Sequence, residues 1–195
     1  ATLGWCYLSD HHAAAAEPLL AALRERFPGT AWVGAVGVGV CASGVEYFDE
    51  PGLATMLAAL PREQFRVFSG QRPMHAPGWR PHTALVHADP ATPELAELIG
   101  ELSGRTASGY LFGGLASARN RTLSIAADAA APADGGVFEG GLSGVAFGDG
   151  VGLVSRVTQG CQPVGPARRI TESERNVVYA LDGEPALDCL LRDLG

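Results

Sequence analysis

Residues 3–37 read LGWCYLSDHHAAAAEPLLAALRERFPGTAWVGAVG, and this stretch decides the fold class. Its two ends are short runs of apolar and aromatic residues, which are typical of β-strands. Between them an apolar face recurs at helical spacing, at Ala16, Leu19, Leu20, Leu23 and Phe27. The stretch therefore predicts a strand–helix–strand unit whose first strand ends at Asp10 and whose second strand ends at Gly37.

A second stretch follows the same plan. Residues 84–89 predict a strand that ends in Asp89, and residues 107–114 predict a strand that ends in glycines. The helix between them is predicted from a stripe at Leu95, Leu98, Ile99 and Leu102. This indicates an internal repeat, although all strand–helix–strand units share such features, and that simpler explanation stays open.

Two more helices are predicted from the same spacing. One carries Leu53, Met56, Leu57 and Leu60, and the other carries Leu187, Leu190, Leu191 and Leu194. Pro51, Pro93 and Pro185 are each expected at a first helical position, where the missing N–H has no partner to lose. We expect Leu23, Leu57, Leu98 and Leu102 to be nearly buried, and the face of the last helix to be either exposed or covered by a second copy of the chain.

Strands are predicted near 2–8, 31–38, 44–48, 64–68, 83–88, 107–112, 121–126, 140–147, 151–158 and 175–181. Ser69–Pro81 and Ala126–Gly136 are predicted loops. Because the early strands alternate with helices and the later ones do not, the fold class is α/β with α+β character in the second half. We expect mixed β-sheet layers covered by amphipathic helices.

Composition excludes several functions. The net charge is −7, and all 14 cationic residues are Arg. Without lysine, a Walker-A loop and a Schiff base are excluded, and the acidic balance disfavours nucleic acid as a partner. The chain has no apolar run long enough for a membrane helix and no signal peptide at its start, so a cytoplasmic location without membrane contact is expected.

Cofactor motifs are not persuasive. Gly37–Ala42 fits the dinucleotide pattern G-x-G-x-x-A, but a turn and a strand follow it where a helix is needed. The cysteines and histidines lack the spacing of a zinc site. His87, inside a strand, is predicted to be a hydrogen-bonded core or edge residue. No cofactor is predicted, and haem is expected to bind weakly or not at all, with His82 and His87 as the ligands to test.

Several segments together resemble the FIST family. They are Val33–Gly37, Glu46–Phe48, Phe112–Ser117, Gly160–Pro166 and Asn176–Ala186. The resemblance implies a sensory input module of bacterial signalling proteins, which acts with a signalling partner or a fused output domain. Some relatives are described as haem-binding sensors, and eukaryotic ones are joined to an F-box. It also implies an N-terminal FIST domain over 1–170 and the beginning of a truncated C-terminal FIST domain over 171–195.

The expected ligand site lies where loops follow Val36, Phe112 and Thr158. It combines glycine backbone, small polar groups, one thiol and one cation, at Gly37, Gly113, Gly114, Ser117, Arg119, Asn120, Gln159 and Cys161. Such a set suits an amino acid or a similar small anion. Asp10 and Asp89 either face an amino group or cap the helices that follow them.

Two other interpretations stay open. Cys161 lies in a Gly/Pro-rich turn and could be the nucleophile of an enzyme, or of a degenerate enzyme, although the chain is expected not to be an enzyme. It could equally be a small buried residue at a turn. A protein-interaction platform fits the F-box relatives and is compatible with ligand binding.

Overall fold

The structure is a computed structural model that describes residues 1–131, 135–156 and 162–195. The chain divides into two compact units, Ala1–Leu153 and Val154–Gly195. Within the described residues, no helix has both the length and the hydrophobicity to span a bilayer.

In chain order the elements of the first unit are β1 Leu3–Ser9, α1 Ala16–Arg26, β2 Ala31–Gly37, β3 Gly39–Ala42, β4 Val45–Phe48, β5 Leu53–Ala58, β6 Phe65–Phe68, β7 Thr83–Ala88, α2 Leu95–Gly104, β8 Tyr110–Leu115, β9 Leu123–Ala127, β10 Gly136–Glu139 and β11 Leu142–Phe147. Short 3₁₀ helices at Asp10–Ala15 and Arg62–Gln64 precede α1 and β6.

Two mixed sheets form the body of this unit. Sheet I has the strand order β10-β9-β2-β1-β5, and sheet II has the order β6-β11-β7-β8. In each sheet one pair is parallel, β1 with β2 and β7 with β8, whereas all other neighbours are antiparallel. A helix connects each parallel pair, so both predicted strand–helix–strand units are confirmed, one in each sheet.

The sheets pack face to face because side chains alternate along each strand. The inner layer joins Leu3, Trp5 and Val33 of sheet I to side chains of sheet II that include Phe65, Val145 and Phe147. On the outer face of sheet I, Leu20 of α1 packs against Trp32 and Ile125. On the outer face of sheet II, Leu102 of α2 joins Ala84, Val86 and Met74. The unit therefore has four layers, and the predicted α/β class with mixed sheets under helices is confirmed.

The second unit is small. It contains β12 Ile170–Glu174, β13 Val177–Leu181, β14 Glu184–Pro185 and α3 Ala186–Leu194, with the three strands in one antiparallel sheet. Cys189 of α3 is buried, whereas the leucine face expected to be exposed is 47–64% exposed. The predicted division at residue 170 stays a prediction.

The predicted helix over 53–60 is wrong, because this segment is the edge strand β5. Its apolar residues have helical spacing, but the segment pairs with β1 along its whole length. Backbone hydrogen bonds are present at both ends of this pairing. Ser9 donates its N–H to the Gly52 carbonyl at 2.9 Å, and Thr2 donates its N–H to the Ala58 carbonyl at 2.9 Å. Backbone pairing of this kind overrides a local apolar pattern.

The expected burial of four leucines is also wrong in part. Leu57 lies on the outer side of an edge strand and is 41% exposed, and Leu98 of α2 is 38% exposed. Leu23 and Leu102 are partly buried. The face of α2 is therefore only partly covered.

Several predicted strands need correction. The strand near 107–112 begins at Tyr110, because Gly109 takes a left-handed turn with φ of 67°. The segment 140–147 becomes a strand only from Leu142, since Gly140 and Gly141 form a left-handed turn. Residues 151–156 form no strand, and 157–158 lie outside the described residues. The sequence patterns did not predict β3, β10 and β12.

Candidate functional site

The carboxyl ends of the four parallel strands meet at one place between the sheets. Tyr7 near the end of β1 contacts His87 near the end of β7, which brings the two sheets together there. The segments that leave β2 and β8 also touch, since Val38 donates its N–H to Ser117 Oγ at 3.4 Å. Ligand sites of α/β proteins commonly lie beyond such strand ends.

A cavity of about 240 Å³ lies at this point, and we call it the strand-end cavity. Residues of both strand–helix–strand units line it, and they include Tyr7, Leu85 and His87 together with backbone at Gly37 and Gly113. The hairpin of β3 and β4 follows β2 directly and adds Gly39 and Val40 to the wall.

The structure brings half of the predicted site residues together. Gly37, Gly113, Gly114 and Ser117 all line the strand-end cavity. Arg119 and Asn120 are exposed and are not part of its wall. Gln159 and Cys161 lie outside the described residues.

Gly113 shows why glycine is needed in this wall. Its φ is 134°, and a Cβ atom there would overlap the carbonyl oxygen of Val86 on the neighbouring strand. Only glycine lets β8 approach β7 this closely. The neighbouring Gly114 has open space around the position of a Cβ, so the restriction applies to one of the two glycines.

Arg119 belongs to a charged cluster two residues after Ser117. Its Nη1 atom lies 2.7 Å from Asp49 Oδ1 and 3.8 Å from Asp10 Oδ2. The Asp10 side chain is 7% exposed, whereas the Asp49 side chain is 64% exposed. Asp10 thus binds the segment after β8 and does not simply cap a helix, while Asp89 accepts a hydrogen bond from the Ala91 N–H at 2.9 Å.

Tyr7 and His87 form a buried polar pair in the wall. The Tyr7 hydroxyl and His87 Nε2 share a hydrogen bond of 2.9 Å, and the two rings meet edge to face. Burial lowers the pKa of His87 to about 4 and raises the pKa of Tyr7 to about 12. Both side chains are therefore neutral near pH 7, because removing a charge from water is unfavourable without a partner.

Ser143 lies next to this pair within sheet II. It lies directly opposite His87 in the pairing of β11 with β7 and is 2% exposed. Within the described residues, Ser143 Oγ and His87 Nδ1 have no hydrogen-bond partner. Directly opposed residues place their Cβ atoms about 5 Å apart, so Ser143 and His87 are neighbours on the same face of sheet II.

Comparison with protein families gives a match along nearly the whole chain. The model of the FIST N domain matches residues 2–184. The chain belongs to the FIST family. No curated protein and no solved structure matches it. FIST domains are in general sensory domains of signal transduction.

A second cavity of about 660 Å³ adjoins the strand-end cavity in this FIST domain, and we call it the inter-sheet cavity. The two cavities share Tyr7 and Leu85. Most of its wall is apolar, with aromatic rings at Trp5, Phe112 and Phe147. Among the residues that the structure describes, no group of three His, Cys, Asp or Glu side chains is arranged to hold a metal ion.

Sequence patterns missed Tyr7 and Ser143 as residues of this candidate site, and they indicated His87 only as a hydrogen-bonded core or edge histidine. A signal was nevertheless present. In both repeated units a side chain with a polar group lies in a largely apolar strand shortly before the strand-ending aspartate, Tyr7 three residues before Asp10 and His87 two residues before Asp89. The structure brings these two side chains into contact across the two sheets.

The low pKa of His87 predicts that acid destabilises the FIST domain. The folded pKa is about 4, against an ordinary value of 6.5. As the pH falls from about 6.5 to 4, the unfolded chain binds a proton that the folded chain excludes. The free energy of unfolding should therefore fall by up to about 3 kcal/mol over this range.

Urea unfolding at pH 7 and at pH 4.5 checks this expectation. His87→Asn, which cannot titrate, should lose clearly less stability on acidification than the parent chain. His82→Asn replaces an exposed histidine and should retain the full acid effect. Equal acid effects in the parent chain and His87→Asn would show that His87 is not the responsible group.

Proposed function

We propose that this FIST domain is the input module of a cytoplasmic signalling protein and that an amino acid binds at its strand-end cavity. The observation that carries the proposal is the meeting of both strand–helix–strand units at one cavity. Gly37, Gly113, Gly114 and Ser117 present backbone and a hydroxyl group there, which suits a small polar ligand. A ligand bound between the two strand–helix–strand units contacts both of them and can therefore change their relative position. A sensory domain needs such a structural response to its ligand.

The charges beside the cavity favour an amino acid over a simple anion. The cluster contains one cation, Arg119, and two carboxylates, Asp10 and Asp49. A ligand carboxylate would pair with Arg119 in place of the exposed Asp49, since exposed ion pairs contribute only about 0–1 kcal/mol. The ligand ammonium group would face Asp10. A simple anion would gain only the first of these contacts.

Replacing Arg119 tests this assignment. Arg119→Ala should weaken the binding of the preferred amino acid by about 1.5–3 kcal/mol, because a hydrogen-bonded charge pair is lost. The preferred ligand is first found by calorimetric titration with each of the common amino acids, and the variant is then titrated with it.

Arg121→Ala is the matched control. Arg121 is exposed and pairs with Glu139 at 3.3 Å, outside the wall of the strand-end cavity. Its removal should leave the affinity unchanged. Equal affinities for the parent chain and Arg119→Ala would contradict the proposed role of Arg119, and the absence of binding by every amino acid would contradict the ligand class.

The wider role follows from the same proposal. We expect a signalling protein or a fused output domain as the partner, and neither nucleic acid nor a membrane.

No cofactor is proposed, and a stable Soret band on haem reconstitution that is lost in His82 or His87 variants would overturn this. An enzyme with Cys161 as nucleophile is the alternative, tested by the pH dependence of thiol alkylation. Cys6 is not suited to act as the nucleophile in place of Cys161, because burial raises its pKa to about 11 and the thiol stays protonated near pH 7.

A further inference from the structure

The inter-sheet cavity has the size and the lining of a binding site of its own. Its volume of about 660 Å³ falls within the range of about 300–1,000 Å³ typical of small-molecule sites. It lies between β5 and β8, the edge strands of sheets I and II on one side of the sandwich. Phe112 and Phe147 stack there with ring centroids 6.3 Å apart.

The lining excludes a charged ligand. Among the described residues, the wall contains no Arg, Asp, Glu or His side chain. A charged group placed there would lose part of its hydration without gaining an opposite charge. Apolar cavities instead take up apolar molecules, because water in them lacks hydrogen-bond partners.

The polar side chains in the wall of this cavity are Cys41, Ser43, Thr55 and Tyr7, of which Tyr7 also offers an aromatic ring. Tyr7 lies in the wall of both cavities. Its hydroxyl makes one hydrogen bond, to His87 Nε2. A phenolic hydroxyl both donates and accepts, so further capacity is left for a ligand. Burial raises the pKa of Tyr7 to about 12, so this hydroxyl keeps its proton and can donate it to a ligand oxygen.

We infer that the inter-sheet cavity is a second binding site, which takes an uncharged aromatic molecule whose single hydrogen-bonding group meets the Tyr7 hydroxyl. The aromatic body packs against Trp5, Phe112 and Phe147. This site adjoins the strand-end cavity and shares Tyr7 and Leu85 with it, but the inference does not rest on amino-acid binding there. The two ligands differ in charge, so they can be tested independently.

Three matched compounds test the inference by calorimetry. They are 2-naphthol, which is neutral and carries one hydroxyl, 2-naphthoate, which is charged, and naphthalene, which has no polar group. We expect 2-naphthol to bind at least about ten-fold more tightly than 2-naphthoate. Tyr7→Phe should weaken 2-naphthol about five-fold and leave naphthalene unchanged, since one hydrogen bond is lost.

Two further variants keep the test decisive. Ala54 lies directly opposite Tyr7 in the pairing of β1 with β5 and lines the cavity, so Ala54→Phe fills it and should abolish binding. Tyr179→Phe, at an exposed tyrosine of the second unit, should change nothing. The inference is overturned if none of the compounds binds, if 2-naphthoate binds as tightly as 2-naphthol, or if folded Ala54→Phe retains the affinity.

Discussion

Gly113→Ala is expected to lower the free energy of unfolding by about 4 kcal/mol or more. The backbone has a φ of 134° at this position, which is strained for any residue with a Cβ and costs about 1–3 kcal/mol. In addition, the new Cβ would overlap the Val86 carbonyl oxygen and force β8 away from β7. The hydrogen bonds lost along this pair add about 1 kcal/mol each.

Gly114→Ala is the matched control for this prediction. A Cβ at Gly114 meets no atom within 4 Å, and its φ is not in the left-handed region. It should change stability by less than about 1 kcal/mol. Chemical unfolding of both variants gives the comparison, and equal effects would show that β8 does not approach β7 as described.

Trp32→Ala should lower the free energy of unfolding by about 3–5 kcal/mol, the range for removing a buried tryptophan. Trp32 is fully buried on the outer face of sheet I, where α1 covers it. The Phe27 ring packs beside it with centroids 6.0 Å apart. Gly4 on β1 makes room for the indole, since a Cβ at Gly4 would lie 2.6 Å from it.

A double-mutant cycle separates this packing from a general loss of structure. Gly4→Ala alone should destabilise the chain by about 1–3 kcal/mol, because it crowds the indole ring. In the Trp32→Ala background the same change should have little effect, since the ring is gone. Additive effects would contradict the close packing of Gly4 and Trp32.

The two strand–helix–strand units could be predicted because their signals are local. An apolar face at helical spacing, flanked by short apolar and aromatic runs, defines residues 3–37 without reference to the rest of the chain. The segment 53–58 could not be predicted in this way. Its helical spacing is overridden by hydrogen bonds to β1, about fifty residues earlier in the chain. Each strand–helix–strand unit lies in a different sheet, and this also depends on strands that pair across long stretches of the chain.

Half of the candidate site was predictable for a similar reason. Glycines at strand ends mark positions where another chain segment approaches, and Gly37, Gly113 and Gly114 indeed line one cavity. The pairing of Tyr7 with His87 was not predictable, because it depends on how two sheets face each other. The prediction of Arg119 as a ligand residue could not anticipate Asp49, which reaches it from the turn after β4.

Amide chemical shifts of the ¹⁵N-labelled chain, titrated with a mixture of the common amino acids, test the central claim most directly. Ligand binding at the strand-end cavity predicts saturable shifts concentrated at Gly37, Gly113, Gly114 and Ser117, with Arg119→Ala reducing them. Unchanged amides at these four positions under a saturating mixture, or shifts confined to other parts of the chain, would contradict the claim that this cavity is the sensory site.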